Sequence, residues 1–142
     1  MADPRKTVAY GDIGALRVTY KHDDTIVYDK SKIGGSAQVG LAVTLTGEAD
    51  DVVSLVGNGE MVEGKLLEVY SDGYCVVQNG GYMDLPGGES ATLTKGAKIM
   101  GDLGPSNAEG YIQAVSADAA GALVGRGAIV NAGTPAATIV RL

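Results

Sequence analysis

Reactive chemistry in this chain has few places to sit. It holds a single cysteine, Cys75, and a single histidine, His22. Cys75 lies in the run YCVVQ, directly after the Ser71-Asp72-Gly73 turn signal. A nucleophilic cysteine needs a lowered thiol pKa, from a histidine partner or an electropositive, exposed setting. The flanks of Cys75 are tyrosine, valine and aspartate. Strand alternation puts Cys75 and Val77 on one face and Tyr74 and Val76 on the other. The pattern predicts a small buried hydrophobe, the usual state of a free cysteine. One cysteine also excludes an intramolecular disulfide and a cysteine zinc cage.

The other polar clusters read in the same direction. His22-Asp23-Asp24 contains metal-ligand types, but neighbouring strand residues point to opposite faces. A surface turn is expected there. Glu48, Asp50 and Asp51 lack the alternating oxygen ligands and closing glutamate of a calcium loop, which leaves a solvated turn. Gly57-Asn58-Gly59-Glu60 and Gly87-Gly88 are glycine-rich, yet neither precedes the Lys-Ser/Thr pair and helix of a phosphate loop. Lys95-Gly96 reads as a hairpin. No serine occupies a Gly-x-Ser-x-Gly elbow. Tyrosine is the only aromatic available for stacking a sugar ring, since Phe and Trp are absent. The expectation is a protein that is not an enzyme, with no catalytic, cofactor-binding or metal residues and no cofactor.

The elements that carry these residues are short. With 142 residues the chain fits one domain with a core of its own. Its 22 glycines and missing Phe and Trp leave Val, Ile, Leu, Ala and Met to fill thin β layers. LRVTYKH and TIVYD read as two strands parted by Asp23-Asp24. AQVGLAVTLT alternates Val39, Leu41, Val43 and Leu45 on one face. DVVSL, GKLLEV and YCVVQ follow, the last two joined by an Asp72-Gly73 hairpin turn. Pro86-Gly87-Gly88 reads as a turn. ATLT, AKIMGDL, GYIQAVS, AIVNAG and ATIVRL complete eight to ten strands. Residues 116–127 hold the one short helix expected, capped by Ser116 and stopped by glycine. The fold class is therefore all-β: a compact antiparallel barrel or sandwich over residues 36–142. Residues 1–35 are expected to form an extended N-terminal arm with short strands.

Charge is uneven. The net charge is −6, divided as +1 over residues 1–36 and −7 over residues 37–142. An acidic body argues against nucleic acid as a partner. No apolar run is long enough to span a membrane, and MADPRKTVAY lacks the apolar region of a secretory signal.

The C-terminal third carries a recognisable pattern. TLTKGAKIMGDLG, EGYIQAV and LVGRGAIVNAGTPAATIVRL, with GEADDVVSLVGNGEMVEGKLLEV ahead of them, resemble the small capsid decoration (cement) proteins of tailed bacteriophages. The likeness covers residues 36–142. It implies a β-barrel or β-tulip structural protein of the virion, made in the host cytoplasm and placed on the outer surface of the capsid. It also implies homotrimers bound to the major capsid protein between capsomers. Arg5, Lys6, Val8, Tyr10, Ile13, Leu16, Arg17 and Val18 are the expected capsid contacts of the arm. Asp50, Asp51, Gly87 and Gly88 are the expected subunit contacts. The competing readings are another phage structural subunit, of the tail tube or head-completion type, and a β-barrel ligand-binding module.

Overall fold

The computed structural model describes residues 14–46, 51–89, 92–115, 124–131 and 138–142. The described elements are strands, apart from two single turns of 3-10 helix at Ile33–Gly35 and Pro105–Asn107. The strands are β1 (Leu16–His22), β2 (Ala42–Leu45), β3 (Val52–Leu55), β4 (Gly64–Val69), β5 (Tyr74–Gly80), β6 (Tyr82–Leu85), β7 (Ile99–Asp102), β8 (Tyr111–Ala114), β9 (Ala128–Asn131) and β10 (Thr138–Arg141). The expected all-β class is what the chain adopts. Residues 116–123 of the helix expected over 116–127 lie outside the described residues; in the described remainder Arg126 forms an isolated bridge to Ile99 and Gly127 has a φ of 64°.

Strands β1 to β5 close a barrel in the order β1-β3-β2-β4-β5. All its pairings are antiparallel except β1 with β3, which run parallel through Lys21–Val52 and His22–Val53. The β4–β5 hairpin turns at Asp72-Gly73. Gly73 supplies a φ of 90°, and Asp72 Oδ1 accepts from the Tyr74 amide at 3.2 Å. Barrel closure moves the boundary expected at residue 35. β1 pairs along its length with β5 and seals the ring against β3, so residues 16–22 are a barrel strand and not part of a separate arm. The TIVYD strand does not form either. The Asp23 carboxylate accepts from both the amide and the hydroxyl of Thr25, at 3.0 and 2.5 Å, and this local capture turns the chain.

The remaining strands form a three-stranded sheet, β6-β10-β9, and a two-stranded sheet, β7-β8. Isolated bridges join the two sheets on both flanks, Gly87 to Ile112 and Ile99 to Arg126. The molecule therefore has two cores. Val43, Val53, Leu66, Val69, Cys75 and Val77 fill the barrel. Val62, Leu85, Ile99, Ile112, Ile129 and Val140 fill the second lobe. β2 lies between them: Ala42 packs into the second core and Val43 into the barrel core. That corrects the alternation expected for residues 37–45. Ala42, Val43 and Thr44 are all buried, Leu45 is exposed, and residues 37–40 are turn. A strand covered on both faces has no polar face to alternate with.

Arg126 fastens the two lobes together. Its guanidinium donates to the carbonyl oxygens of Val62 (3.2 Å), Glu63 (2.6 Å) and Asn79 (2.8 Å). The Glu63 carboxylate lies 3.7 Å away and accepts from Tyr20 Oη at 3.0 Å. A planar fork with five donors suits three carbonyls and a carboxylate at once.

Candidate functional site

The barrel's most structured surface feature is a cavity of about 520 Å³ at the end that carries the Asp72-Gly73 turn. One wall is the loop that precedes β2, and it contributes Tyr28, Lys30 and Lys32 over the backbone of Gly34 and Gly35. The other wall is the end of β4 and its turn, with Glu68, Tyr70 and Asp72.

Local hydrogen bonds explain why the loop wall keeps its shape. Asp29 accepts from the amide and hydroxyl of Ser31, at 2.9 and 2.7 Å, and its own amide donates to the Gly35 carbonyl at 2.7 Å. Those bonds from Ser31 hold the Asp29 carboxyl below its ordinary pKa. Gln38 ties the start of the loop: its Oε1 accepts from the Val27 amide at 2.7 Å and its Nε2 donates to the Thr25 carbonyl at 2.5 Å. Gly35, with a φ of 87°, packs so close to β4 that a Cβ would collide with the Val69 carbonyl oxygen. The Tyr28 ring lies against that same glycine.

On the strand wall, Tyr70 Oη donates to Glu68 Oε2 at 2.7 Å, and this bond raises the phenol pKa above its ordinary value. The two tyrosines are 42% and 43% exposed, and both line the cavity. The four charged side chains divide evenly, two ammonium groups on the loop wall and two carboxylates on the strand wall. The set can donate and accept hydrogen bonds with no net charge. Beside it, Ile33 stands on the loop crest with its side chain 98% exposed.

The residues singled out in the sequence lie elsewhere. Cys75 is fully buried in the barrel core, and burial pushes its thiol up to about 11. At that value it holds its proton at neutral pH and is no nucleophile. His22 donates through Nδ1 to the Asp23 carbonyl at 3.0 Å, while its buried Nε2 meets no partner among the described residues. No group of three or more His, Cys, Asp or Glu able to hold a metal ion occurs among the described residues.

Of the expected arm contacts, Arg5, Lys6, Val8, Tyr10 and Ile13 lie outside the described residues. Leu16, Arg17 and Val18 begin β1, with Leu16 58% exposed and Val18 half-buried. Of the expected subunit contacts, Asp50 lies outside the described residues and Asp51 is exposed in a left-handed turn with φ 55°. Gly87 and Gly88 are not an exposed tip. Gly87 bridges to Ile112, and Gly88 is buried so tightly that a Cβ would strike the Asp102 carboxylate. The cavity itself went unnoticed in the sequence. Its walls come from residues some forty positions apart, and only the tyrosines and lysines near two turn signals hinted at them.

Among the described residues no helix is long and apolar enough to cross a membrane. Comparison of the chain with protein-family models, with curated proteins and with solved structures returned no match in any of the three.

Proposed function

We propose that this chain is a structural protein of a tailed-phage virion. It decorates the outer surface of the head and stabilises it by binding between capsomers, as trimers. The sequence pattern over residues 36–142 supports that reading. The observation in the structure that carries it furthest is the start of β1. Leu16 is a large apolar side chain held 58% exposed on a hydrogen-bonded strand. Strand pairing fixes its backbone before any partner arrives, so binding through it loses little backbone freedom. Gly14 and Gly81 approach closely beside it, and residues 1–13 precede it in the chain.

On this reading the shell-facing surface is Leu16, Arg17 and the preceding residues. Each contact is weak, and three copies on one trimer raise the effective concentration of the second and third. Wild-type chain and two variants, Leu16→Asp and a deletion of residues 1–13, are mixed with expanded empty heads assembled from tailed-phage major capsid proteins. Wild type is expected to sediment with the heads and to saturate at three copies per threefold site. The variants are expected to stay folded and remain in the supernatant. Equal retention of all three overturns the reading. Hexameric rings of the free protein favour a tail-tube subunit instead.

A further inference from the structure

The cavity lies at the end of the barrel opposite Leu16. β1 runs seven residues from Leu16 to His22, about 20 Å at the usual rise of a strand. Leu16 pairs with Gly80 at one end, and Lys21 pairs with Tyr74 beside the hairpin turn at the other. The cavity includes Tyr70 and Asp72 of that turn, so it faces away from Leu16.

We infer that the cavity between Tyr28 and Tyr70 is a binding site for a neutral saccharide of one or two rings. Three observations carry this together. First, its volume of about 520 Å³ lies within the range of small-molecule sites. Second, two half-exposed tyrosines line it from the two walls, Tyr28 close to Gly35 and Tyr70 hydrogen-bonded through its hydroxyl to Glu68. Aromatic faces that are apolar in the body and polar at the tip match the C–H faces and hydroxyl rims of a sugar ring. Third, Lys30 and Lys32 oppose Glu68 and Asp72. A balanced set offers no net attraction to an anion or a cation. Sugar hydroxyls both donate and accept, so they pair with ammonium and carboxylate alike. An acidic peptide satisfies the lysines but faces two carboxylates, and a basic peptide meets the reverse conflict.

The site is already shaped. Gly35, Gln38 and Asp29 hold the loop wall by backbone bonds that do not depend on the ligand. Little ordering is therefore left to binding.

The test uses the free full-length chain, without heads, so its failure leaves the shell-binding reading untouched. The probes are glucose, galactose and N-acetylglucosamine, with cellobiose, lactose and chitobiose as their two-ring counterparts. Binding is read by tyrosine fluorescence, which no tryptophan obscures in this chain, and by calorimetry. At least one probe is expected to saturate with a Kd between about 0.1 and 5 mM. Tyr28→Ala and Tyr70→Ala are each expected to weaken it about tenfold, and the double variant Lys30→Gln/Lys32→Gln about fivefold. The lysine variant alters only exposed groups and keeps the test valid if a tyrosine variant misfolds. Absence of saturation up to about 50 mM with every probe overturns the inference. So does saturable binding that all three variants leave unchanged, or tighter binding of tetraglutamate than of any sugar.

Discussion

Gly35 is the residue on which the cavity most depends. It meets two demands that any other side chain fails. Its φ of 87° lies in the left-handed region, and a Cβ would enter the Val69 carbonyl oxygen on β4. Gly35→Ala is expected to cost about 3 kcal/mol, from backbone strain plus displacement of the loop from the strand. At this chain length that lowers Tm by roughly 10 °C. A scanning-calorimetry shift under 2 °C, which is about 0.5 kcal/mol, contradicts the close approach. Gly73 is a useful control. Its φ of 90° is similar, but a Cβ there meets open space, so Gly73→Ala carries the conformational cost alone. Cys75 shows the opposite case at the same scale. Its neighbours in the strand were enough to read it as a core residue, because burial follows from alternation and needs no distant partner.

Between elements, Arg126 and the Lys65–Asp84 pair do different work. Arg126 satisfies three carbonyls where β4, β5 and the stretch before β9 meet. Arg126→Met removes that donor from the three carbonyls and the cation beside Glu63, which keeps its bond from Tyr20 Oη. It is expected to cost about 2–4 kcal/mol, read as a lower urea midpoint with unchanged slope. An unchanged midpoint contradicts the role assigned to the guanidinium. Lys65 Nζ meets Asp84 Oδ1 at 2.6 Å, with the Asp84 side chain 58% exposed. The hydrogen bond from Lys65 is the main cause that lowers the Asp84 pKa. A carboxylate whose folded pKa is depressed contributes stability above its unfolded pKa, near 4, and loses it as pH falls through the lower folded value. Asp84→Asn is therefore expected to cost about 0.5 kcal/mol at pH 7, after screening of an exposed pair. The difference from wild type is expected to shrink as pH falls below the ordinary carboxylate range. A difference that grows on acidification contradicts this sign.

What the sequence made legible at this scale was local. Asp72-Gly73 specifies its hairpin by its own side chain and its own φ, so the turn was readable from two residues. β2 was misread for a physical reason: its two faces serve two different cores, and single-face alternation cannot report that. β1 was assigned to an arm because its partners lie more than thirty and more than fifty residues away, at Val52 and at Tyr74 to Gly80. The cavity was hidden for the same reason, since Tyr28 and Tyr70 meet only after β4 has packed on the loop.

For the whole molecule, two cores and one shared strand set the unfolding behaviour. Ala42 and Val43 are adjacent on β2 and are buried in different lobes, so neither core opens without disturbing the other. Arg126 adds a polar connection across the same seam. One cooperative transition is expected, with calorimetric and van't Hoff enthalpies equal. Two resolved transitions contradict the coupling.

Roles are proposed for both ends of the barrel. Leu16 marks the end proposed to face a shell, and Tyr28 and Tyr70 mark the end proposed to face outward. The most direct test of that polarity is cryo-electron microscopy of expanded heads saturated with the wild-type chain. The account predicts trimeric density above the threefold positions, with the start of β1 against the shell and the loop carrying Ile33 at the outer tip. Density that seats this loop on the shell, or heads left bare at saturating protein, contradicts it.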